Sequence, residues 1–159
     1  MVKILVKFYA WLCRKFRKVK ISDNKVYDLP ANEFSNIINL LEYKSDPLGG
    51  FIDYVADPDK FFDSKRKFGR DCDDWARQWS IWGYHNGYIA EEYFVYNPCR
   101  LFSSAHVVTL LWKNGECYLG NYRLTGPFKT MEEAFDSLKI YNKYKKHFDY
   151  IFSVRIAKE

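Results

Sequence analysis

A helix with a cysteine in its first turn is the feature that most constrains this chain. Asp71 is a suitable N-cap, two further acids follow it in the first turn, and Asn86-Gly87 supplies a left-handed stop. Between these signals an apolar stripe recurs at helical spacing: Trp75, Ala76, Trp79, Trp82 and Gly83. The pattern predicts a helix that buries its tryptophan face and places Cys72 beside free backbone N–H groups.

Beyond this helix the apolar residues alternate with a period of two. Four strands are predicted, at residues 93–96, 105–112, 116–121 and 150–156. Asn114-Gly115 is a strong two-residue hairpin signal between the second and the third of them. Because helices come first and an antiparallel sheet follows, the order of the elements predicts an α+β domain.

Two more helices are predicted on either side of this core. Residues 32–43 carry one apolar stripe, and Thr130-Met131-Glu132-Glu133 is a capping box that opens a helix toward Tyr141. With 159 residues and 19% aromatic content, the chain has enough apolar surface for one well-filled core. We therefore expect a single domain over residues 21–159, preceded by a basic amphipathic helix over residues 1–20.

The net charge of +5 is concentrated in that N-terminal segment. Seven lysines and arginines and no acid lie within residues 1–20, and subtracting 7 from +5 leaves −2 for the rest. A nearly neutral body lacks the basic face of a nucleic-acid-binding domain, so nucleic acid is not an expected partner. The basic helix either docks on the body or contacts an anionic membrane surface or a protein partner.

The four cysteines, Cys13, Cys72, Cys99 and Cys117, are far apart and form no C-x-x-C pair. This spacing does not favour a zinc site or a disulfide framework, so free thiols in a reducing compartment are expected, with no metal or cofactor. The apolar run near the N-terminus is interrupted by Lys7 and lacks a cleavage site, so neither a signal peptide nor a transmembrane span is expected.

Cys72 is the candidate nucleophile. A helix N-terminus stabilises a thiolate, but Asp71, Asp73 and Asp74 oppose it, since nearby negative charge favours the protonated thiol. The cysteine therefore needs a basic partner, and an imidazole is the usual one. Other cysteines have no such context and are interpreted as structural.

His106 is the candidate base and Asn121 the candidate orienting residue. If Asn114-Gly115 form a tight turn, cross-strand partners sum to 229, and Asn121 becomes a diagonal neighbour of His106 on the same face. That face also carries Val108, Leu110, Cys117 and Leu119. It is expected to be the buried face, packed against the tryptophan-rich helix, so that Cys72 and His106 would meet. A slip of one residue would separate the pair.

The motif Gly69-Arg70-Asp71-Cys72-Asp73-Asp74-Trp75-Ala76 resembles the nucleophile region of transglutaminase-like and bacterial transglutaminase-like cysteine peptidases. Ala105-His106-Val107-Val108 resembles their histidine strand, and Leu119-Gly120-Asn121 the site of their third residue. The resemblance covers about half of the chain. The short length is also similar to that of small bacterial and bacteriophage members. One departure is notable, since many members have Asp as the third residue. If that Asp aligns with Gly120, the orienting residue is lost here or is replaced by Asn121.

This resemblance implies a papain-like fold and thiol chemistry on a peptide or isopeptide amide through Cys72, His106 and Asn121. The expected partner is a peptide or protein substrate, and the expected location is cytoplasmic or phage-associated. Two alternatives stay open: a catalytically silent binding or structural module, for example a particle component, and acyl transfer to an amine. One oxyanion donor would be the Cys72 backbone N–H, with residues 64–70 as a source of the second.

Overall fold

A computed structural model of the chain describes residues 8, 19–44, 57–63, 70–96, 106–138 and 149–157. Within these ranges the protein is an α+β structure of three helices and one five-stranded antiparallel sheet. The helices are α1 (Ala31–Asn39), α2 (Cys72–His85) and α3 (Met131–Asp136). The strands are β1 (Ile89–Tyr96), β2 (His106–Lys113), β3 (Glu116–Gly120), β4 (Leu124–Phe128) and β5 (Asp149–Ile156). Their order across the sheet is β4-β3-β2-β1-β5.

Helix α2 begins and ends where the sequence predicts. Asp71 is its N-cap in extended conformation, although the Asp71 side chain makes no capping hydrogen bond. Asn86 is the C-cap, and Gly87 has a positive φ of 74°, which a glycine adopts without steric cost. The three tryptophans of the stripe are buried, which confirms that this face is part of the core.

One face of the sheet is filled by α2. Trp79 lies so close to Gly120 that a Cβ there would come within 2.7 Å of the indole. Thr109 of β2 donates a hydrogen bond to the Ala76 carbonyl, and Leu111 belongs to the same buried cluster as the tryptophans. The small residue at 120 therefore allows the helix to approach the sheet closely.

The opposite face is covered by α3, and this corrects the expected packing of the histidine face. Val108, Leu110, Cys117 and Leu119 do share one buried cluster, as alternation predicts, but its other members include Ala134 and Phe135 of α3 and Leu138 just after that helix. The tryptophan-rich helix packs instead on the face of Thr109 and Leu111. His106 thus has the strand parity of the α3 face, and the expectation that α2 covers this face is wrong.

The hairpin register is confirmed. Asn114 and Gly115 have positive φ values of 53° and 80°, and the pairs Lys113↔Glu116 and Thr109↔Gly120 both sum to 229. The capping box of α3 is confirmed in part, since the Thr130 hydroxyl accepts from the Glu133 N–H at 3.1 Å.

Other elements differ from expectation in extent. Helix α1 ends four residues earlier than predicted, β1 begins four residues earlier, and β4 was not predicted at all. In the connection before α1, residues Lys25–Asp28 form a 3-10 helix whose Tyr27 is fully buried. The N-terminal helix lies outside the described residues except for Phe8, which is helical and exposed.

A buried ion pair joins α2 to β1. Arg77 donates two hydrogen bonds to the Glu92 carboxylate, at 2.6 and 3.0 Å, and both side chains are almost fully buried. This bidentate geometry fixes the rotation of α2 against the sheet, and with it the position of the helix N-terminus. Within the part of the chain that the structure covers, no helix has the length and apolarity needed to cross a bilayer.

Candidate functional site

The imidazole of His106 and the amide of Asn121 are in contact at one end of the β2–β3 hairpin. The His106 Nε2 and Asn121 Oδ1 atoms are 3.0 Å apart. Because a carbonyl oxygen only accepts, Nε2 carries the hydrogen and donates it to Asn121. The other ring nitrogen, Nδ1, is therefore the atom with a free lone pair in the neutral ring, and is the basic atom of the site.

Asn121 itself is fixed by its main chain. Its carbonyl accepts a hydrogen bond from the Trp79 indole N–H, and its own N–H donates to the Arg123 carbonyl at 3.3 Å. The turn that follows β3 is thus tied to the middle of α2. The side chain that orients His106 consequently has a rigid support.

Cys72 is the first residue of α2, and its position is set by the contacts of Arg70, two residues before it. Arg70 pairs with Lys44 through two backbone hydrogen bonds of 3.0 and 3.2 Å, and its carbonyl accepts from the Trp75 indole. The Arg70 side chain is buried and donates to the Phe61 carbonyl at 2.9 Å. These contacts hold the chain on the N-terminal side of the cysteine.

The Cys72 thiol is protonated at neutral pH. Burial raises its pKa to about 12, with further contributions from the negative charges of Asp73 and Asp71. The backbone N–H groups of Val107 and of Cys72 itself favour the thiolate and partly offset these effects. The sulfur therefore lies beside the Val107 amide, one peptide unit from His106.

The His106 imidazole is neutral at pH 7. Burial lowers its pKa, because the imidazolium loses solvation, while the hydrogen bond to Asn121 raises it in part. The resting site thus holds a neutral thiol and a neutral imidazole instead of a thiolate–imidazolium pair. No hydrogen bond joins the Cys72 sulfur to the His106 ring among the contacts of the described residues.

Tyr122 connects the two halves of the site. Its ring stacks on His106 at 6.5 Å between centroids and makes an edge contact with Trp75 of α2 at 5.8 Å. His106 is the first residue of β2, at one end of the strand. Tyr122 therefore links the imidazole to the helix that carries Cys72.

A second tyrosine lies near the thiol. Burial raises the pKa of Tyr43 to about 12, and the nearby groups of Cys72, Asp71 and Tyr122 raise it further. Both Tyr43 and Tyr122 are 56% exposed. Sequence reasoning missed these two residues. The short bridge between Lys44 and Arg70, which brings Tyr43 to the site, has no local sequence signal.

A cavity of about 630 Å³ lies beside the histidine–asparagine pair. It is lined by His106, Leu119, Asn121, Tyr122, Arg123, Thr125, Ser137 and Leu138. Cys72 is not part of this lining. The cavity therefore opens on the α3 side of the sheet, whereas the sulfur lies on the α2 side.

The three acids around Cys72 lie close together. The carboxylate oxygens of Asp71, Asp73 and Asp74 are within 4.8 Å of one another. Proximity alone does not make them a cation site. Their clear effect is on the sulfur, since Asp73 and Asp71 both raise its pKa.

The remaining sequence candidates are distributed as follows. Cys117 is buried, as expected of a structural cysteine. His85, in the last turn of α2, contacts Asp28 at 2.9 Å and the Ser22 carbonyl at 2.8 Å, and so ties α2 to the 3-10 helix. Cys13 and Cys99 lie outside the described residues, as do residues 64–69, which belong to the segment considered for the second oxyanion donor.

Comparison with protein-family models, with curated proteins and with solved structures finds no match to this chain. The resemblance to transglutaminase-like peptidases therefore rests on the sequence motifs alone.

Proposed function

We propose that the protein is a thiol-dependent amidase of papain-like type that hydrolyses a peptide or isopeptide bond through Cys72, His106 and Asn121. The observation that carries the proposal is the 3.0 Å hydrogen bond from His106 Nε2 to Asn121 Oδ1, on a strand whose Val107 N–H contacts the Cys72 thiol at the N-terminus of α2. This bond leaves Nδ1 as the base, and an orienting amide of this kind is what a thiol–imidazole pair requires.

The proposed reaction starts from the neutral pair. His106 Nδ1 takes the proton of the Cys72 thiol while the sulfur attacks the amide carbon, and the imidazolium then gives that proton to the leaving amine. Water, deprotonated by the same nitrogen, hydrolyses the thioester and releases the carboxylic acid. The Cys72 backbone N–H supports the oxyanion, as it already favours negative charge on the sulfur.

The geometry also sets a condition for this chemistry. The imidazole stacks on Tyr122 and is bonded to Asn121, so it must turn toward the sulfur when substrate binds. Catalytic hydrogen bonds often tighten only in the substrate complex. Tyr122, which is 56% exposed and stacks on the imidazole, would move with the ring.

A second function, that of a binding module without turnover, is favoured by one observation. The thiol has a pKa of about 12 and makes no hydrogen bond to His106, and Cys72 is not among the residues that line the cavity at His106. In this case the cavity is the functional feature and the cysteine is a structural residue.

The test is hydrolysis of a mixture of peptides with fluorogenic C-terminal amides, followed by mass spectrometry of the trapped protein. We expect a thioester adduct on Cys72, complete loss of turnover in Cys72→Ala, and a loss of about 10²- to 10⁴-fold in His106→Ala. His85→Ala is the matched control and should retain activity, because His85 lies at the opposite end of α2 from Cys72, where it contacts Asp28 and the Ser22 carbonyl.

Turnover that persists in Cys72→Ala, or a wild-type protein that neither cleaves nor forms an adduct, would refute the amidase proposal. The second outcome supports the binding module. An added primary amine that becomes incorporated into the product, at the expense of free acid, indicates acyl transfer instead of hydrolysis.

A further inference from the structure

The cavity beside His106 has an asymmetric set of polar groups. None of the eight described residues that line it is acidic, and the one permanent cation among them is Arg123. Arg123 is exposed, and among the residues that the structure describes it has no carboxylate partner. An exposed guanidinium in the lining of a cavity, without such a partner, favours a ligand that carries negative charge.

The hydrogen-bond directions separate the polar groups of the cavity into acceptors and donors. The Ser137 hydroxyl donates to the Ala134 carbonyl at 2.7 Å, and the Thr125 hydroxyl donates to the Leu119 carbonyl at 3.4 Å. Because both hydroxyls donate their hydrogen to the main chain, only their lone pairs are available to a ligand. These positions suit the N–H groups of a peptide.

The donors are supplied by Asn121 and Arg123. The Asn121 oxygen is engaged by His106, so its amide nitrogen is the group that remains for a ligand. Together with the guanidinium it offers N–H donors of the kind that a carboxylate accepts. Leu119, Leu138 and the Tyr122 ring supply the apolar part of the lining.

We propose that this cavity binds an acidic peptide, with its carboxylate held by Arg123 and the Asn121 amide nitrogen and its backbone N–H groups directed to Ser137 and Thr125. The volume of about 630 Å³ lies within the range of roughly 300–1,000 Å³ that is typical of small-ligand sites. The proposal does not depend on catalysis by Cys72. It assigns Arg123 as the residue that determines which ligand enters.

The experiment measures binding to the full chain carrying Cys72→Ala, by chemical-shift titration with three blocked dipeptides. Acetyl-leucyl-glutamic acid amide carries a side-chain carboxylate, acetyl-leucyl-leucine carries only a terminal carboxylate, and acetyl-leucyl-glutamine amide carries neither. We expect one or both acidic probes to bind about five- to tenfold more tightly than the neutral one, as a charge-assisted contact at a partly solvated arginine provides. The tighter of the two identifies the source of the carboxylate.

Arg123→Gln should reduce this preference to nearly one. Arg155→Gln is the matched control: Arg155 is an exposed arginine on β5 and is not in the cavity lining, so the preference should stay unchanged. Thermal melts of each variant show that the fold is retained. The shifts should centre on the amides of Thr125 and Ser137.

Equal binding of all three probes, an unchanged preference in Arg123→Gln, shifts confined to other parts of the chain, or no saturable binding at millimolar concentrations each overturns the proposal. Because the cysteine is absent from every sample, none of these outcomes bears on the amidase proposal. Equally, a failure of that proposal leaves this one standing.

Discussion

The two faces of the sheet are packed in opposite ways. On the α2 face, three buried tryptophans and a bidentate ion pair fill the space so closely that Gly120 has no room for a side chain. On the α3 face, the covering helix has six residues, and a cavity of about 630 Å³ remains at its end. Helix α2 therefore acts as a rigid support, and the α3 face offers space for a ligand.

The candidate residues lie at the rim between these faces. Cys72 belongs to the packed side and is held protonated by it, whereas His106 and Asn121 line the open side. The contrast shows that α2 fixes the positions of the candidate residues, whereas the α3 face provides the space for a ligand. Tyr122 contacts both Trp75 and His106, and so connects the two sides.

The largest expected effect tests the packing contrast itself. Trp79→Ala should lower the free energy of unfolding by about 3–5 kcal/mol, because it removes a fully buried indole and leaves a void under Gly120. Leu138→Ala should cost about 2 kcal/mol, since Leu138 already borders a cavity. Urea denaturation measures both. Equal losses would show that the two faces are packed alike.

The second prediction concerns the ion pair that orients α2. Glu92→Gln should cost about 3 kcal/mol, because it leaves the Arg77 guanidinium buried with a weakened partner. Glu42→Gln, at a side chain that is 81% exposed, is the control and should change stability by less than about 0.5 kcal/mol.

A double variant sharpens this test. Arg77→Met with Glu92→Leu removes both charges and should recover most of the loss, since apolar residues of similar volume replace a buried pair well. If the double variant is as unstable as Glu92→Gln, the pair contributes more than charge compensation. Denaturation at neutral pH decides between these results.

Much of the α2 side could be predicted from sequence because its signals are local. The caps of the helix, its tryptophan stripe and the Asn114-Gly115 turn each specify structure within a few residues. The register followed from the turn alone, and the register in turn placed Asn121 beside His106.

The assignment of faces could not be predicted in the same way. Strand β2 is apolar on both sides, so alternation separates its residues into two sets without showing which helix covers which set. That choice depends on Gly120 and Thr109, which let α2 approach closely, and on the short helix α3. Tyr43 was missed for a related reason, since the long-range bridge between Lys44 and Arg70 brings it to the site.

The third prediction tests the state of the thiol on the packed side. With a pKa of about 12, the native Cys72 should react with iodoacetamide at pH 8 at least about a hundredfold more slowly than in urea, where a free thiol has a pKa near 8.5. Its rate should rise steeply between pH 9 and 12. Mass spectrometry of the peptide that contains Cys72 separates it from the other cysteines. Rapid labelling at pH 7 would mean that a thiolate–imidazolium pair exists at rest.

The smallest effect is expected on the open side, at His106. Because burial lowers its pKa below that of the unfolded chain, the unfolded state binds the proton first, and stability should fall as the pH drops below about 6.5. Above that pH both states are neutral, and His106 contributes no pH dependence.

Asn121→Ala removes the one contact that raises this pKa, so the ring should titrate at still lower pH. Ser137→Ala, which alters the same cavity without a bond to the ring, should leave the titration unchanged. Proton NMR of the imidazole measures both variants. A pKa that rises in Asn121→Ala would show that Asn121 holds the neutral ring in place and does not stabilise its charge, and the asparagine would then serve the cavity more than the base.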